Sequence, residues 1–458
     1  MAGIGFELRN ILRRDSLNSV ARAYVYAGLI GSGPQILSIF GILIIGQLSL
    51  ASVIPANAVV QFQMSVTYLI AVSLVLTGPF QLTLTRFVSD RLFEANDNLV
   101  LWNYNGVVLV VTALAGVFAT AAVLAGFGGT SAIYRGLMIA GFVVLSQIWI
   151  AVIFLSGVKQ YRQILVVFFV GYGCSIGFAL CLTRFGLVGL LSGFVAGQIV
   201  LLAGLTAFVY CDYHSERLVS YEVFNRRYTY PSLAMVGLLF NVGVWLDKFM
   251  FWYAPGTGSR VIGPLYASVI YDIPVFLAYV CVMPGMAAFL VRIEADFVEY
   301  YDAFYEGVRN GATLHHINGM RDMMVRCVRT GLYEIVKVQA VVLLLIAAFG
   351  ERLLNVFGIS PLYYPLLVIH VMSASLQVLL LGILNVFFYL DRRRNVLRLT
   401  CEFALLNGVL TAVTLKLGPD YYGYGFAIAL LIVVVAAMSR LDRTFQSLEY
   451  ETYMLRRG

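Results

Sequence analysis

Charge is what this chain has least of. Only 12% of its 458 residues are Asp, Glu, Lys or Arg, about half the ~25% usual for soluble domains. The four histidines and six cysteines are scattered. Cys174, Cys181, Cys211, Cys281, Cys327 and Cys401 form no C-x-x-C, which argues against a structural zinc site and a disulfide framework. A phosphate-binding G-x-x-x-x-G-K-[ST] is missing, so the chain carries no ATPase of its own. His315-His316 has no acidic or thiol ligands at useful spacing and reads as part of a surface loop. The long apolar runs lack the two-residue alternation of an outer-membrane barrel. These gaps point away from an enzyme, and no metal or cofactor is expected.

What fills the chain is apolar: 60% of it, in runs long enough to cross a bilayer. In residues 1–21, Ile4, Leu8, Ile11 and Leu12 fall within an arc of about 100° on a helix, with Arg9, Asn10, Arg13 and Arg14 opposite. That pattern suits a helix lying on an anionic membrane surface. An apolar span of about 28 residues follows, Arg22–Ser49, too long for a signal peptide and without a small-residue cleavage pattern, so it is expected to be retained. Inside it, Gly31-Ser32-Gly33-Pro34 should bend the helix, because proline lacks an amide hydrogen and crowds the preceding turn.

Twelve spans are expected in two lobes of six. The first lobe covers 22–210, a linker 211–230, and the second lobe 231–438 with an insertion at 292–331; 439–458 form a tail. The fold class is thus an all-α polytopic membrane protein with twelve transmembrane helices in two pseudo-symmetric lobes. Placing both termini in the cytoplasm puts 25 of the 31 Lys and Arg inside and leaves six outside (Arg135, Arg184, Lys248, Arg260, Arg352, Lys416), the asymmetry of the positive-inside rule. Six spans per half give the halves one orientation, so any internal repeat is parallel. Gly78-Pro79 followed by Arg86, and Pro284-Gly285 followed by Arg292, echo one another at matching places in the two halves.

Polar groups inside spans mark function or helix contacts. Asp247 and Lys248 lie about 24 Å above Pro231 at ~1.5 Å rise per residue, and Asp272 falls at similar depth in the next span. Two compatible readings stand: a Lys248–Asp272 ion pair that leaves Asp247 free, and a charged wall in a translocation path. Asn241, Trp245, Gln35 and Gln377 join Asp247, Lys248 and Asp272 as candidate path residues, each with helix packing as its plain alternative. Gln81, Gln147, Gln198, Asn385 and Asn407 read as helix-to-helix hydrogen-bonding groups, and His370 as a buried neutral imidazole. Glu402 is explained by a local pair with Arg398. In the insertion, Phe297, Tyr301 and Phe304 share a helical face, either packed at extended span ends or docking a partner.

Gly3-Ile4-Gly5-Phe6-Glu7-Leu8-Arg9, Ala23 to Ile30, Ser32-Gly33-Pro34, Thr85 to Phe93, Gly311-Ala312-Thr313-Leu314 and Tyr389 to Arg394 closely resemble the Pel exopolysaccharide transporters (PelG), within the multidrug/oligosaccharidyl-lipid/polysaccharide (MOP) exporters. The resemblance implies a flippase-like fold in the bacterial inner membrane. It also implies export of a partly de-N-acetylated, hexosamine-rich polysaccharide, and partnership with a cytoplasmic glycosyltransferase and membrane proteins, one a cyclic-di-GMP receptor. Other readings are a lipid-linked oligosaccharide or small-molecule exporter of the same superfamily, and a membrane scaffold for the synthase. Multidrug members usually carry an essential carboxylate in the first lobe, whereas the six spans assigned to that lobe hold none.

The charge distribution makes a direct prediction. Reporter fusions after Arg260 and after Met454 should report periplasm and cytoplasm respectively, and the same compartment at both sites would overturn the twelve-span arrangement.

Overall fold

The computed structural model describes residues 17–454, apart from 51, 52, 54, 56, 95, 97, 159, 214–217, 226, 227 and 357. The basic amphipathic stretch at the N-terminus lies outside the described residues. Helices in the first half are α1 (Leu17–Ser49), α2 (Asn57–Phe93), α3 (Asn98–Gly126), α4 (Ala132–Gly157), α5 (Tyr161–Cys181) and α6 (Gly186–Asp212). The second half holds α7 (Pro231–Tyr253), the strands β1 (Ser259–Ile262) and β2 (Leu265–Ala267), α8 (Val269–Val280), α9 (Met283–Phe289), a π-helical segment (Leu290–Phe297), α10 (Val298–Arg309), α11 (Leu314–Val356), α12 (Tyr364–Tyr389), α13 (Arg393–Leu417) and α14 (Tyr424–Met454).

Among the described residues eleven helices are long and apolar enough to cross a membrane, and the α8–α9 pair, bent by 42°, makes a twelfth. The protein is therefore a multi-pass, all-helical membrane protein. Only these helices satisfy every backbone amide and carbonyl internally in hydrocarbon. The expected eighth span, Leu265–Val291, differs at its start: residues 265–267 belong to a β-hairpin pairing Ser259 with Ala267 and Arg260 with Tyr266. Its turn places Gly263 at φ +53°, where a side chain would be strained. The expected insertion at 292–331 is no separate module. Its first part continues the eighth span as the π segment and α10, and its second part is the leading half of the 43-residue α11.

The chain divides into two compact units. One runs from Gly33 to Val269; the other combines the residues up to Ser32 with those from Ile270 onward. The division falls inside Gly31-Ser32-Gly33-Pro34, and α1 itself is uninterrupted through Pro34. Its leading half packs in the second unit, where a Cβ on Gly31 would come within 2.6 Å of Leu290. Its trailing half packs in the first, with Gly33 and Gly41 facing Leu165 and Tyr172. The seventh span, α7, goes with Gly33–Val269 and not with the spans that follow it, so the divide differs from the lobe limits at 210 and 231.

The reason α7 sits there is a backbone contact with α2. A Cβ on Gly237 would lie 2.1 Å from the Gly78 carbonyl oxygen, and one on Gly78 would lie 2.7 Å from that of Gly237. Small residues let helix backbones approach closely where lipid supplies no hydrophobic drive for association. The repeat suggested by the sequence thus carries an exchange: the first span packs on the eighth in one unit, and the seventh packs on the second in the other. The echo also extends by one ion pair, Arg86–Asp90 at 3.0 Å and Arg292–Asp296 at 2.8 Å, each i to i+4.

Gly237→Val should therefore lower the unfolding midpoint strongly in detergent, by the equivalent of at least ~1–3 kcal/mol of overpacking. Gly116→Ala, whose added Cβ meets no atom within 4 Å, should leave it unchanged or slightly raised. Equal midpoints for wild type and Gly237→Val would remove the contact as the reason for α7's position.

Candidate functional site

In the Gly33–Val269 unit, α7 carries four of the residues singled out from the sequence, with Asn241, Trp245 and Lys248 on one face. Asn241 and Trp245 are half-buried, one turn apart, while Asp247 and Lys248 are buried. Asn241 Nδ2 donates to the Gly237 carbonyl at 2.9 Å, beside the Gly78 contact. On α2, Gln81 Nε2 donates to Thr77 Oγ1 at 3.0 Å, and on α4 Trp149 Nε1 donates to Ser73 Oγ at 2.9 Å. Toward the hairpin end, Tyr68 stacks on Trp252 at 4.4 Å, with Phe249 edge-on to Trp252 at 5.0 Å. The Tyr68 hydroxyl donates to the Tyr266 carbonyl at 3.0 Å and ties α2 to β2.

Lys248 has a partner on its own helix. Its ammonium lies 3.2 Å from both carboxylate oxygens of Asp247 and donates to the Val244 carbonyl at 2.8 Å. Asp247 is consequently not a free carboxylate, and a neighbouring pair is feasible because the flexible lysine stem folds back along its own helix. Burying both charges together avoids leaving either one alone in a low-dielectric medium. Asp272 belongs to the other unit, in the first turn of α8, where the helix dipole favours a negative charge. Gln35 is exposed on α1, and Gln377 on α12 is half-buried and accepts from the Tyr279 hydroxyl at 3.2 Å. Of the seven candidates, four are on α7 and Gln35 is elsewhere in that unit, while Asp272 and Gln377 belong to the other unit.

The unit containing Ile270 onward holds a denser polar network, built around the broken eighth span. Met283-Pro284 interrupts the helix, and the Val282 carbonyl at the break accepts from the Met286 amide at 3.0 Å and from Gln339 Nε2 at 3.2 Å. Gln339 is buried and in turn accepts from Ser375 Oγ at 3.0 Å. Two turns on, Arg292 donates from Nε and one terminal nitrogen to Glu334 at 2.5 and 2.8 Å and from the other to Asp296 at 2.8 Å. The Tyr24 hydroxyl donates to the same Glu334 carboxylate at 3.2 Å and brings α1 into the network. Glu294, in the π segment, accepts from Asn385 Nδ2 and from the Tyr389 hydroxyl, the latter at 2.6 Å.

Reading the sequence missed most of this. Glu294 and Asp296 stand there in an acidic run with Glu299, Asp302 and Glu306, and nothing local singles out Glu334. An i to i+4 spacing does connect Arg292 to Asp296, and that much was legible. The rest depends on partners 42 to 310 positions away.

Two further expectations change, while His370 is buried as expected. The aromatic face of the insertion is occupied by its own chain: Phe297 and Phe304 are fully buried, and Phe297 and Tyr301 pack on Tyr389 at 5.6 and 5.7 Å between ring centres. Phe297, Tyr301 and Phe304 therefore form part of the core of this unit, because the helix that carries them lies against α11 and α12 and is not splayed onto a surface. Glu402 pairs with Arg440 on α14 instead of Arg398, since its helix face meets α14. His370 is buried, with its ring edge-on to Tyr271 at 4.6 Å.

The sequence matches the PelG family, described as exopolysaccharide exporters (EPS-E), over residues 1–453. Among curated proteins none matches. The fold is similar to that of a multidrug-resistance MATE family transporter of the MOP superfamily in an outward-facing conformation (12% identity, 98% of this chain and 99% of that one, TM-score 0.65). It is similar also to an inward-facing one (13% identity, 91% and 96%, TM-score 0.61). A third is a MOP superfamily transporter from Pyrococcus furiosus, whose description reports a binding pocket of reverse polarity (12% identity, 93% and 96%, TM-score 0.62). At these identities the likeness is one of fold.

Arg292 is the group on which Glu334 and Asp296 both depend. Arg292→Leu should destabilise the protein by about 2 kcal/mol, within the range for losing charge-assisted hydrogen bonds and moderated by partial exposure. Arg292→Lys should recover only part of this, because a single ammonium cannot reproduce the planar fork. Thermal unfolding of the three proteins in one detergent checks the order, and full recovery by lysine would contradict it.

Proposed function

Because the chain belongs to the PelG family of exopolysaccharide exporters, we propose that it carries a Pel-type, hexosamine-rich polysaccharide across the bacterial inner membrane, from cytoplasm to periplasm, with both termini cytoplasmic. The family match over residues 1–453 is the observation that carries this reading. The solved relatives in outward- and inward-facing conformations support alternating exposure as the means.

The chemistry of the membrane-embedded residues suits the hydroxyl and N-acetyl groups of such a polymer. Asp247 is matched by Lys248 within the chain. The half-buried groups on α7 and α12 are an amide, an indole and a second amide: Asn241, Trp245 and Gln377. Amides exchange hydrogen bonds with hydroxyl and N-acetyl groups in both directions, and an indole face offers apolar area to a sugar ring.

A cytoplasmic glycosyltransferase and membrane partners, one a cyclic-di-GMP receptor, belong to the same reading. With the Phe297–Tyr301–Phe304 face buried, the exposed side of α10, bearing Glu299, Asp302 and Glu306, is the face left for the glycosyltransferase.

The test is export in cells lacking the native gene. The wild-type chain should restore extracellular polymer, and Trp245→Ala and Asn241→Ala should each reduce it several-fold at unchanged protein level. Polymer accumulating inside while synthesis continues would identify a conduit. Loss of synthesis itself would favour the scaffold, and full export by both variants would move the path away from α7.

A further inference from the structure

Glu334 and Glu294 flank the same short segment, yet their partners differ in kind. Glu334 is held by the Arg292 guanidinium at two points. That group only donates and stays protonated at any physiological pH, so Glu334 can serve it only as an acceptor. Glu294 is bound by Asn385 and Tyr389, and no Lys, Arg or His pairs with it among the described residues. An amide and a phenol each carry both a donor and an acceptor. They serve a carboxylate by donating to it, and a carboxylic acid by accepting from it.

The charged groups nearest in sequence are already joined to one another. Arg292 and Asp296, two residues to either side of Glu294 and so on roughly the opposite face of the segment, pair at 2.8 Å. From α11, Glu334 binds the same Arg292. On the Glu294 side, Tyr389 of α12 also packs against Tyr301 of α10, at 5.7 Å between ring centres. The segment bearing Glu294 is also π-helical over Leu290–Phe297, a geometry concentrated at functional sites. Glu294 is only partly buried, so part of it stays open to its surroundings.

We propose that Glu294 is a reversible proton-binding site. In the charged state Tyr389 O–H donates to Oε2. In the neutral state a proton from the adjoining aqueous phase bonds to Oε2 and is donated to the Tyr389 oxygen, whose own hydrogen rotates away. Asn385 continues to donate to Oε1 in both states. The tie between the π segment and α12 therefore changes direction with proton occupancy, whichever polymer is carried.

The experiment is pH-difference infrared spectroscopy on the full-length protein in liposomes. On acidification the wild type should gain a protonated-carboxyl C=O band that shifts in D2O. Glu294→Gln should lose that band, whereas Glu299→Gln, at an exposed position, should keep it. Tyr389→Phe should keep the band but move it to higher frequency, as expected of an acid without its acceptor, and this variant decides the matter should Glu294→Gln fail to fold. Hydrogen exchange across 290–309, corrected for intrinsic rates, should step with pH in wild type and not in Glu294→Gln. Identical difference spectra for wild type and Glu294→Gln, or an unmoved band in Tyr389→Phe, would overturn the assignment. So would a Glu294 signal that follows sodium at constant pH, which would make the site one for a metal cation.

Discussion

Hydrocarbon offers no hydrogen bonds to a protein backbone, and each irregular stretch within this fold exists only where its own chain supplies them. The break in the eighth span shows the constraint at work. Met283-Pro284 follows the end of α8, and the Val282 carbonyl beside it accepts from the Met286 amide and from Gln339. Gln339 is in turn held by Ser375, so the break in the eighth span is tied to residues of the ninth and tenth. Gly285 belongs to the same arrangement, since a Cβ there would fall 2.1 Å from Gln339 Nε2.

The same economy of space governs helix exchange. The first and seventh spans each pack on the second member of the opposite half, and both do so through glycine: Gly31 against Leu290 in one unit, Gly237 against Gly78 in the other. Lipid competes for apolar side chains as well as a protein does, so close backbone approach and polar ties determine which helices pair. Tyr24 supplies such a tie for α1 through Glu334, and Asn241 lies beside the Gly78–Gly237 contact for α7. A single continuous helix, α1, thereby contributes to two compact units.

Charge is rationed in the same way. Asp247 has Lys248, Arg292 has Glu334 and Asp296, and Glu402 has Arg440. Glu294 stands apart because its partners are neutral, and that difference in partner chemistry, more than its position, is what distinguishes it.

The sequence by itself determined that the protein lives in a membrane, how many times it crosses and where nearly every crossing lies. Those follow from run length and charge, which are local properties of the chain. It determined also that two breaker-and-arginine patterns echo one another, and the paired Asp90 and Asp296 extend that echo by one local spacing. Only the tertiary structure decided what each polar side chain meets. Lys248 turns to its neighbour Asp247, Glu402 reaches across to Arg440, and Phe297 and Tyr301 close over Tyr389 instead of facing outward. Helical periodicity correctly places Phe297, Tyr301 and Phe304 on one face, but an apolar face is equally suited to a partner or to the chain's own core. Which one covers it depends on the direction α10 takes after the π segment and on residues about ninety positions away, information that no local pattern contains.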